Sequence, residues 1–288
     1  MDYTAGIAYT RAGAGEPLVL MHGTGGSHAI WRPVIELLKA DREIIAVDLP
    51  GSGTSPAIPN RLAATNLEFA DRVSALIDQL GLERPHVAGT SIGGHVALLL
   101  GAAGTARSVV AFSPTGFWNR WQSLYTRSLS RSMRIGAQLS TPLVPVLANT
   151  VVGRMMMLGT GFARPAVVPP ADAARVATDM RTSTGFAGIG RHANRERLGG
   201  APASTTAAAA VVDESIRDGL REVPTTIAWA EKDLYLPLRQ AAVAKRALPD
   251  AKHVLLTGCG HLATWDNPAL IAQLLRESHL ALTATEAS

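Results

Sequence analysis

Short apolar runs alternate with longer segments of helical period along most of this 288-residue chain. Such alternation is the pattern of βαβ units, which build a parallel sheet with helices packed on both faces. We therefore predict an α/β fold with a mostly parallel, doubly wound sheet. The predicted strands are residues 7–10, 17–21, 43–47, 85–88, 108–112, 225–229 and 253–256, and the predicted helices are residues 29–39, 67–80, 92–101, 238–247 and 269–280.

The alternation stops after residue 112 and resumes only near residue 225. About a hundred residues therefore intervene where a doubly wound sheet needs one short crossover. Because a chain of this length and hydrophobic content can bury one large core, we expect a single core domain with an insertion. We assign residues 1–114 and 222–288 to the core and residues 115–221 to an inserted helical cap.

The predicted insertion is strongly basic. Residues 115–200 contain eleven arginines, no lysine and only three acidic residues, whereas the whole chain has a formal net charge of +4. Two interpretations stay open: a solvated helical face, or a lid that attracts anions or makes peripheral contact with a membrane. The basic residues show neither aromatic interleaving nor zinc-finger spacing, so we expect no nucleic-acid partner.

One pentapeptide, Gly89-Thr90-Ser91-Ile92-Gly93, lies between an apolar strand and an apolar helix. A serine on a sharp, strained strand-to-helix turn needs residues without side chains two positions before and after it. The helix that begins there also directs its first N–H groups toward negative charge developing at the serine. Although Gly-x-Ser-x-Gly arises by chance in glycine-rich chains, this setting makes Ser91 the candidate nucleophile.

A second glycine-rich loop, His22-Gly23-Thr24-Gly25-Gly26, follows the apolar run at residues 18–21. With the Ser91 pentapeptide, it resembles the α/β-hydrolase superfamily, in which this loop provides half of the oxyanion hole. The resemblance extends over roughly residues 7–114 and 222–281. It implies an α/β-hydrolase fold, and it implies that the backbone N–H groups of Thr24 and Ile92 form the oxyanion hole. We expect His22 to brace its loop.

A serine hydroxyl needs a base within hydrogen-bond reach and a carboxylate that orients the base. In this superfamily the chain order is serine, acid, histidine. Residues 230–237 resemble its acid loop, with alanine in place of the first glycine, and residues 260–268 resemble its histidine segment. The resemblance therefore implies a triad of Ser91, Asp233 and His261.

Other titratable residues near these motifs compete for the same roles. Glu231 lies two residues before Asp233, where its side chain would face the opposite side of the loop or solvent. The remaining candidates have simpler structural interpretations. We expect a helix cap for Asp266, a packed or hydrogen-bonded role for His95 and a small buried apolar side chain for Cys259.

These motifs together predict a serine hydrolase that works through an acyl-enzyme. Serine at position 91 excludes the superfamily's haloalkane dehalogenases and epoxide hydrolases, which carry aspartate there. Because the insertion contains several aromatic and methionine side chains, the leading hypothesis is hydrolysis of a carboxylic ester on a small or medium apolar acyl substrate. The candidate substrate-binding residues are Trp118, Trp121 and Trp265.

Several other activities remain open. Residues 260–265 read Gly-His-Leu-Ala-Thr-Trp and resemble the His-x-x-x-Trp segment of meta-cleavage product hydrolases, which cut carbon–carbon bonds. Thioesterases and cofactor-free perhydrolases use the same triad. From another class, a hydrolase-fold protein could bind a ligand without catalysis, although an intact triad argues against it.

The sequence predicts neither a cofactor nor a metal ion. Residues 188–193 match Gly-x-Gly-x-x-Ala, but no strand precedes them and no acidic residue follows at the spacing of a ribose contact. Cys259 is the single cysteine, which excludes an intramolecular disulfide. The start of the chain lacks the basic and apolar regions of a signal peptide, and no apolar stretch is long enough to span a membrane. We therefore expect a cytoplasmic protein, and the oligomeric state stays open.

Overall fold

The computed structural model describes residues 1–59, 65–184 and 214–286, with the side chains of residues 279–286 left aside. Eight strands form one sheet in the order β1-β2-β4-β3-β5-β6-β7-β8. The strands are β1 (Asp2–Thr4), β2 (Ile7–Ala12), β3 (Glu16–Met21), β4 (Arg42–Asp48), β5 (His86–Thr90), β6 (Ser108–Phe112), β7 (Thr225–Ala230) and β8 (Lys252–Leu256).

The strands from β4 to the β8 edge pair in parallel, whereas β1 and β2 pair antiparallel at the opposite edge. This confirms the predicted α/β fold with a mostly parallel sheet. The helices of the described residues are α1 (Arg32–Leu38), α2 (Asn66–Gln79), α3 (Ile92–Ala102), α4 (Arg120–Leu139), α5 (Val144–Ala148), α6 (Val151–Leu158), α7 (Pro170–Thr182), α8 (Glu214–Leu220), α9 (Arg239–Ala247), α10 (Ala263–Asp266) and α11 (Pro268–Glu286).

Each face of the sheet is covered by its own apolar layer. In β3, Val19 and Met21 pack into one layer, while Leu18 and Leu20 pack into the other. Successive side chains of a strand point to opposite faces, so a strand covered on both sides is apolar at every position. That is why the central strands read as continuous apolar runs in the sequence.

Helices α4 to α7 lie between β6 and β7 in the chain, and we call them the inserted helices. A capping box starts α4, since the Asn119 side chain accepts from the N–H of Gln122 and the Gln122 side chain accepts from the N–H of Asn119. Helix α4 packs against α7, and α5 packs against α6 and α7. Residues 185–213 lie outside the described residues, so the cap boundaries of 115–221 stay a prediction.

Among the residues that the structure describes, no helix combines the length and the apolarity needed to cross a bilayer. Within the same ranges, no three His, Cys, Asp or Glu side chains cluster as metal ligands would. The Gly-x-Gly-x-x-Ala segment at residues 188–193 lies outside them.

Candidate active site

Ser91 lies between β5 and α3 in a backbone conformation that is rare for a residue with a side chain, with φ 57° and ψ −116°. Its N–H donates to the carbonyl oxygen of Phe112 at 2.9 Å. Its own carbonyl oxygen accepts from the N–H groups of His95 at 3.1 Å and Thr115 at 3.2 Å. Three backbone hydrogen bonds therefore hold Ser91 in its strained turn.

The two glycines around Ser91 leave no room for side chains. A Cβ atom on Gly89 would lie 2.1 Å from the carbonyl carbon of Gly93, and one on Gly93 would lie 2.4 Å from the carbonyl oxygen of Met21. Both distances are far inside van der Waals contact with backbone atoms. Close approach of strand and helix is thus the physical reason for the spacing seen in the sequence.

Asp233 and His261 are joined directly. One carboxylate oxygen of Asp233 lies 2.8 Å from Nδ1 of His261, and the other accepts from the N–H groups of Tyr235 at 2.9 Å and Leu236 at 2.7 Å. The Asp233 side chain is fully buried. Because the carboxylate engages Nδ1, Nε2 is the ring nitrogen left to exchange a proton with another group.

A cavity of about 740 Å³ brings the remaining candidates together. Ser91, His261, Thr24 and Ile92 all line it. Much of its remaining wall consists of apolar side chains from the inserted helices and the segments that join them. These residues are Leu147, Met156, Met157, Leu158, Phe162, Val176, Ala177 and Met180.

The three tryptophans expected to bind substrate lie in different surroundings. Trp118 is half-buried and lines the cavity. Trp121 is 76 % exposed in the first turn of α4 and is not part of the cavity wall. Trp265 is buried in the core under the guanidinium of Arg32, beside a separate cavity of about 40 Å³. Neither Trp121 nor Trp265 lines the larger cavity, which corrects the expectation that they contact a substrate there.

Tyr235 contacts His261 and was not among the residues predicted from the sequence. Its ring stacks on the imidazole of His261, with 5.0 Å between the centroids and 28° between the planes, and its hydroxyl contacts Sδ of Met133. Burial raises the pKa of this hydroxyl, so it stays protonated. The sequence signal for this contact was the aromatic residue two positions after Asp233.

Asp266 joins two segments that are distant in the sequence. Its carboxylate accepts from the N–H of Gly260 at 2.8 Å, one residue before His261. It also accepts from the N–H groups of Ala163 at 2.9 Å and Arg164 at 2.7 Å. The carboxylate therefore ties the chain that follows α6 to the loop that carries His261.

Two acidic side chains near the motifs have structural roles. The expected helix cap at Asp266 is wrong, because Asn267 caps α11 by accepting from the N–H of Leu270 at 3.1 Å. Glu231 accepts from the N–H of Gly258 at 2.7 Å on the protein surface. Neither carboxylate is bonded to His261.

Two histidines near Ser91 are buried and neutral. His22 accepts from the N–H of Leu49 at 2.9 Å and lies 2.7 Å from the carbonyl oxygen of Gly23, so it braces its loop. Burial lowers the pKa of His22, and burial lowers the pKa of His95 to about 3. Nδ1 of His95 lies within hydrogen-bond distance of the side chains of Asn66 and Thr115.

The depressed pKa of His95 predicts an acid-sensitive fold. Between its unfolded value near 6.5 and about 3, the unfolded chain binds a proton that the folded chain does not. The free energy of unfolding should therefore fall as the pH falls through this window, by up to about 1.4 kcal/mol per pH unit from this group. Urea unfolding of the wild type and of His95→Gln at several pH values measures the difference in slope.

The half-buried His253, which contacts the carbonyl oxygen of Leu248, supplies the matched control His253→Gln. His95→Gln should flatten the pH slope of the wild type, and His253→Gln measures how far removal of another histidine changes that slope. Equal slopes for all three proteins from pH 7 to pH 5 would refute the assignment to His95.

Comparison with known proteins adds a family and several relatives. A family model described as alpha/beta hydrolase fold matches residues 16–268. The dihydrolipoyllysine-residue acetyltransferase component of the acetoin cleaving system of Cupriavidus necator is 36% identical over 145 residues, which are 49% of this chain and 37% of that protein. The chain therefore aligns with little more than a third of that relative.

Another relative aligns over most of both chains. The 2-hydroxy-6-oxononadienedioate/2-hydroxy-6-oxononatrienedioate hydrolase of Cupriavidus pinatubonensis is 27% identical over 267 residues, covering 90% of this chain and 84% of that protein. Among solved structures, a thermophilic esterase from Thermogutta terrifontis superposes with a TM-score of 0.69 at 19% identity, covering 94% of this chain and 92% of the other. At that identity, the superposition shows a shared fold only.

Proposed function

Because the chain belongs to the α/β-hydrolase family, we propose that it hydrolyses a carboxylic ester of a small or medium apolar acyl substrate. In this proposal Ser91 is the nucleophile, His261 is the general base and acid, and Asp233 orients the imidazole. The observation that carries it is the 2.8 Å contact between Asp233 and His261 at a cavity that Ser91 also lines.

The proposed chemistry runs in two half-reactions. Ser91 Oγ attacks the ester carbonyl carbon while Nε2 of His261 takes the hydroxyl proton, and His261 then gives that proton to the departing alcohol oxygen as the C–O bond breaks. Water then attacks the acyl carbon while Nε2 of His261 takes a proton from that water. The proton passes to Ser91 Oγ as the bond between Oγ and the acyl carbon breaks and the carboxylic acid leaves. Backbone N–H groups of Thr24 and Ile92 would stabilise the oxyanion, each by about 3 to 4 kcal/mol.

The composition of the cavity wall supports an apolar acyl group. The inserted helices contribute four methionines and two leucines to the wall, together with three arginines, and none of the lining residues is acidic. We propose that the insertion at residues 115–221 acts as the cap of this site. Trp118, which lines the same cavity, remains the proposed aromatic contact to substrate.

Labelling with a fluorophosphonate tests the nucleophile. Such a reagent phosphonylates a serine only when a neighbouring base activates it. We expect one adduct on the peptide that contains Ser91, detected by mass spectrometry, and none in Ser91→Ala or in the urea-unfolded protein. An unlabelled Ser91 in the folded protein would overturn the proposal.

Carbon–carbon bond hydrolysis is a second candidate. The aligned relative from Cupriavidus pinatubonensis supports it, because its name places a dienedioate as its substrate. Spectrophotometric turnover of such a dienedioate, without turnover of p-nitrophenyl esters, would favour this candidate. Ester turnover alone would favour the first.

A further inference from the structure

Large apolar side chains are concentrated on the solvent side of the inserted helices. Of the nineteen that are exposed among the described residues, eleven lie within residues 121–156. Exposed apolar side chains are normally scattered, and a concentration of them marks a surface that meets a partner. These side chains, which we call the apolar face, are Trp121, Leu124, Tyr125, Ile135, Leu139, Leu143, Val146, Val151, Val152, Met155 and Met156.

The charged residues interspersed with the apolar face in the sequence are all arginines. No acidic residue occurs between residues 84 and 171, whereas Arg127, Arg131 and Arg134 lie within α4. Trp121, Leu124, Arg131, Ile135 and Leu139 are all exposed and recur at intervals of three to seven residues along that helix. Arginine and apolar side chains therefore share the solvent-facing side of α4.

We place the mouth of the large cavity at the exposed side chains that also line it. Met156 is 75 % exposed and yet lines the cavity, and the exposed Arg127 and Arg131 line it as well. Ser91 and His261 line the same cavity from the sheet side. A molecule that entered past Met156 and Arg131 would meet an apolar passage toward Ser91.

We propose that the apolar face docks on an anionic lipid bilayer. Its leucine, valine and methionine side chains would enter the boundary between headgroups and acyl chains, and its arginines would bind lipid phosphates. Trp121, which is three-quarters exposed, belongs to a residue type favoured at membrane interfaces. Docking would turn the cavity mouth toward the lipid.

Charge argues against a second copy of the chain as the occupant. A symmetric dimer through this face would oppose arginine to arginine, and the face offers no carboxylate to compensate. A protein partner with an acidic surface would match the charge as well, but the exposed Met156 and Arg131 also line the cavity of Ser91, and a lipid can supply an acyl chain to that cavity. Here Arg131 lies between Trp121 and Leu139 on one helix, as in helices that lie in a membrane interface.

Vesicle binding by the full chain carrying Ser91→Ala tests the proposal, because this variant cannot consume the lipid through Ser91. We expect sedimentation with sucrose-loaded vesicles of equimolar phosphatidylcholine and phosphatidylglycerol. Binding should be about tenfold weaker to phosphatidylcholine alone and at high salt. Leu139→Glu and Arg131→Glu should each weaken binding to the anionic vesicles by about tenfold.

Matched controls lie outside the face. Leu67 is 59 % exposed on α2 and Arg221 follows α8, so Leu67→Glu and Arg221→Glu should bind vesicles as the parent does. Absence of vesicle binding, or equal loss in face and control variants, would overturn the proposal. A dimer seen by light scattering and broken by Leu139→Glu would overturn it in favour of a second copy. Fluorophosphonate labelling of the wild type tests Ser91 separately, so a failure of membrane docking can be distinguished from a failure of the proposed catalysis.

Discussion

Ser91→Ala is expected to lower kcat/KM for p-nitrophenyl butyrate by about 10⁵-fold to 10⁶-fold while the protein stays folded. The effect is large because nucleophile, base and acid act as one unit, so removing Ser91 Oγ abolishes the acyl-enzyme route. Alanine keeps the Cβ atom, so the positive φ of 57° costs the variant no more than it costs the wild type. Initial rates, with circular dichroism to verify the fold, measure the effect.

Ser140 supplies the matched control for this experiment. It also lines the cavity, at the end of α4, and Ser140→Ala removes one hydroxyl from the wall just as Ser91→Ala does. We expect its kcat/KM to stay within about threefold of the wild type. A loss below about a hundredfold for Ser91→Ala, or an equal loss for Ser140→Ala, would point to a different nucleophile.

Gly89→Ala should strongly destabilise the fold. Its new Cβ atom would lie 2.1 Å and 2.2 Å from the carbonyl carbon and oxygen of Gly93 and 2.7 Å from the nitrogen of Gly94. All three are backbone atoms at the junction of β5 and α3, so relief requires strand and helix to separate. We expect a loss of more than about 4 kcal/mol in the free energy of unfolding, measured by urea denaturation.

Gly136 on α4 offers the opposite case. A Cβ atom there would meet no atom within 4 Å, and alanine is the better helix former by about 1 kcal/mol. Gly136→Ala should therefore leave the urea midpoint unchanged or raise it. A free energy of unfolding for Gly89→Ala within about 1 kcal/mol of the wild-type value would contradict the close approach of Gly89 and Gly93.

Much of the fold was predictable because local pattern and tertiary structure agree. The central strands are covered on both faces, so runs such as residues 17–21 stand out as continuously apolar. Strand β1 was missed for the opposite reason. Asp2 and Tyr3 are exposed on the edge strand, which pairs only with β2, so no apolar periodicity marks them.

The site was predictable where a motif carries its own geometry. The glycines two positions before and after Ser91 indicate that β5 and α3 approach closely there, because a Cβ atom at either position would clash with backbone atoms. The superfamily's motif order of serine, acid and histidine predicts Asp233 and His261, and Oδ2 of Asp233 lies 2.8 Å from Nδ1 of His261. Their roles in catalysis remain predictions of the proposed function.

The rest of the site depends on long-range geometry. Composition could not separate Trp118, which lines the cavity, from Trp121, which faces solvent three residues later. Stacking of Tyr235 on His261 depends on how two loops meet in space. Asp266 looked like a helix cap, yet two of its partners, Ala163 and Arg164, lie about a hundred residues away.

The tie at Asp266 bears on how such a protein can evolve. It fixes residues 163–164 to the loop of His261 through backbone N–H groups, which every amino acid except proline supplies. Substitutions along residues 120–158 can thus change the cavity wall while Asp266 keeps residues 163–164 fixed relative to His261. Such a protein can therefore acquire a new substrate range by mutation without a change in the position of the loop that carries His261.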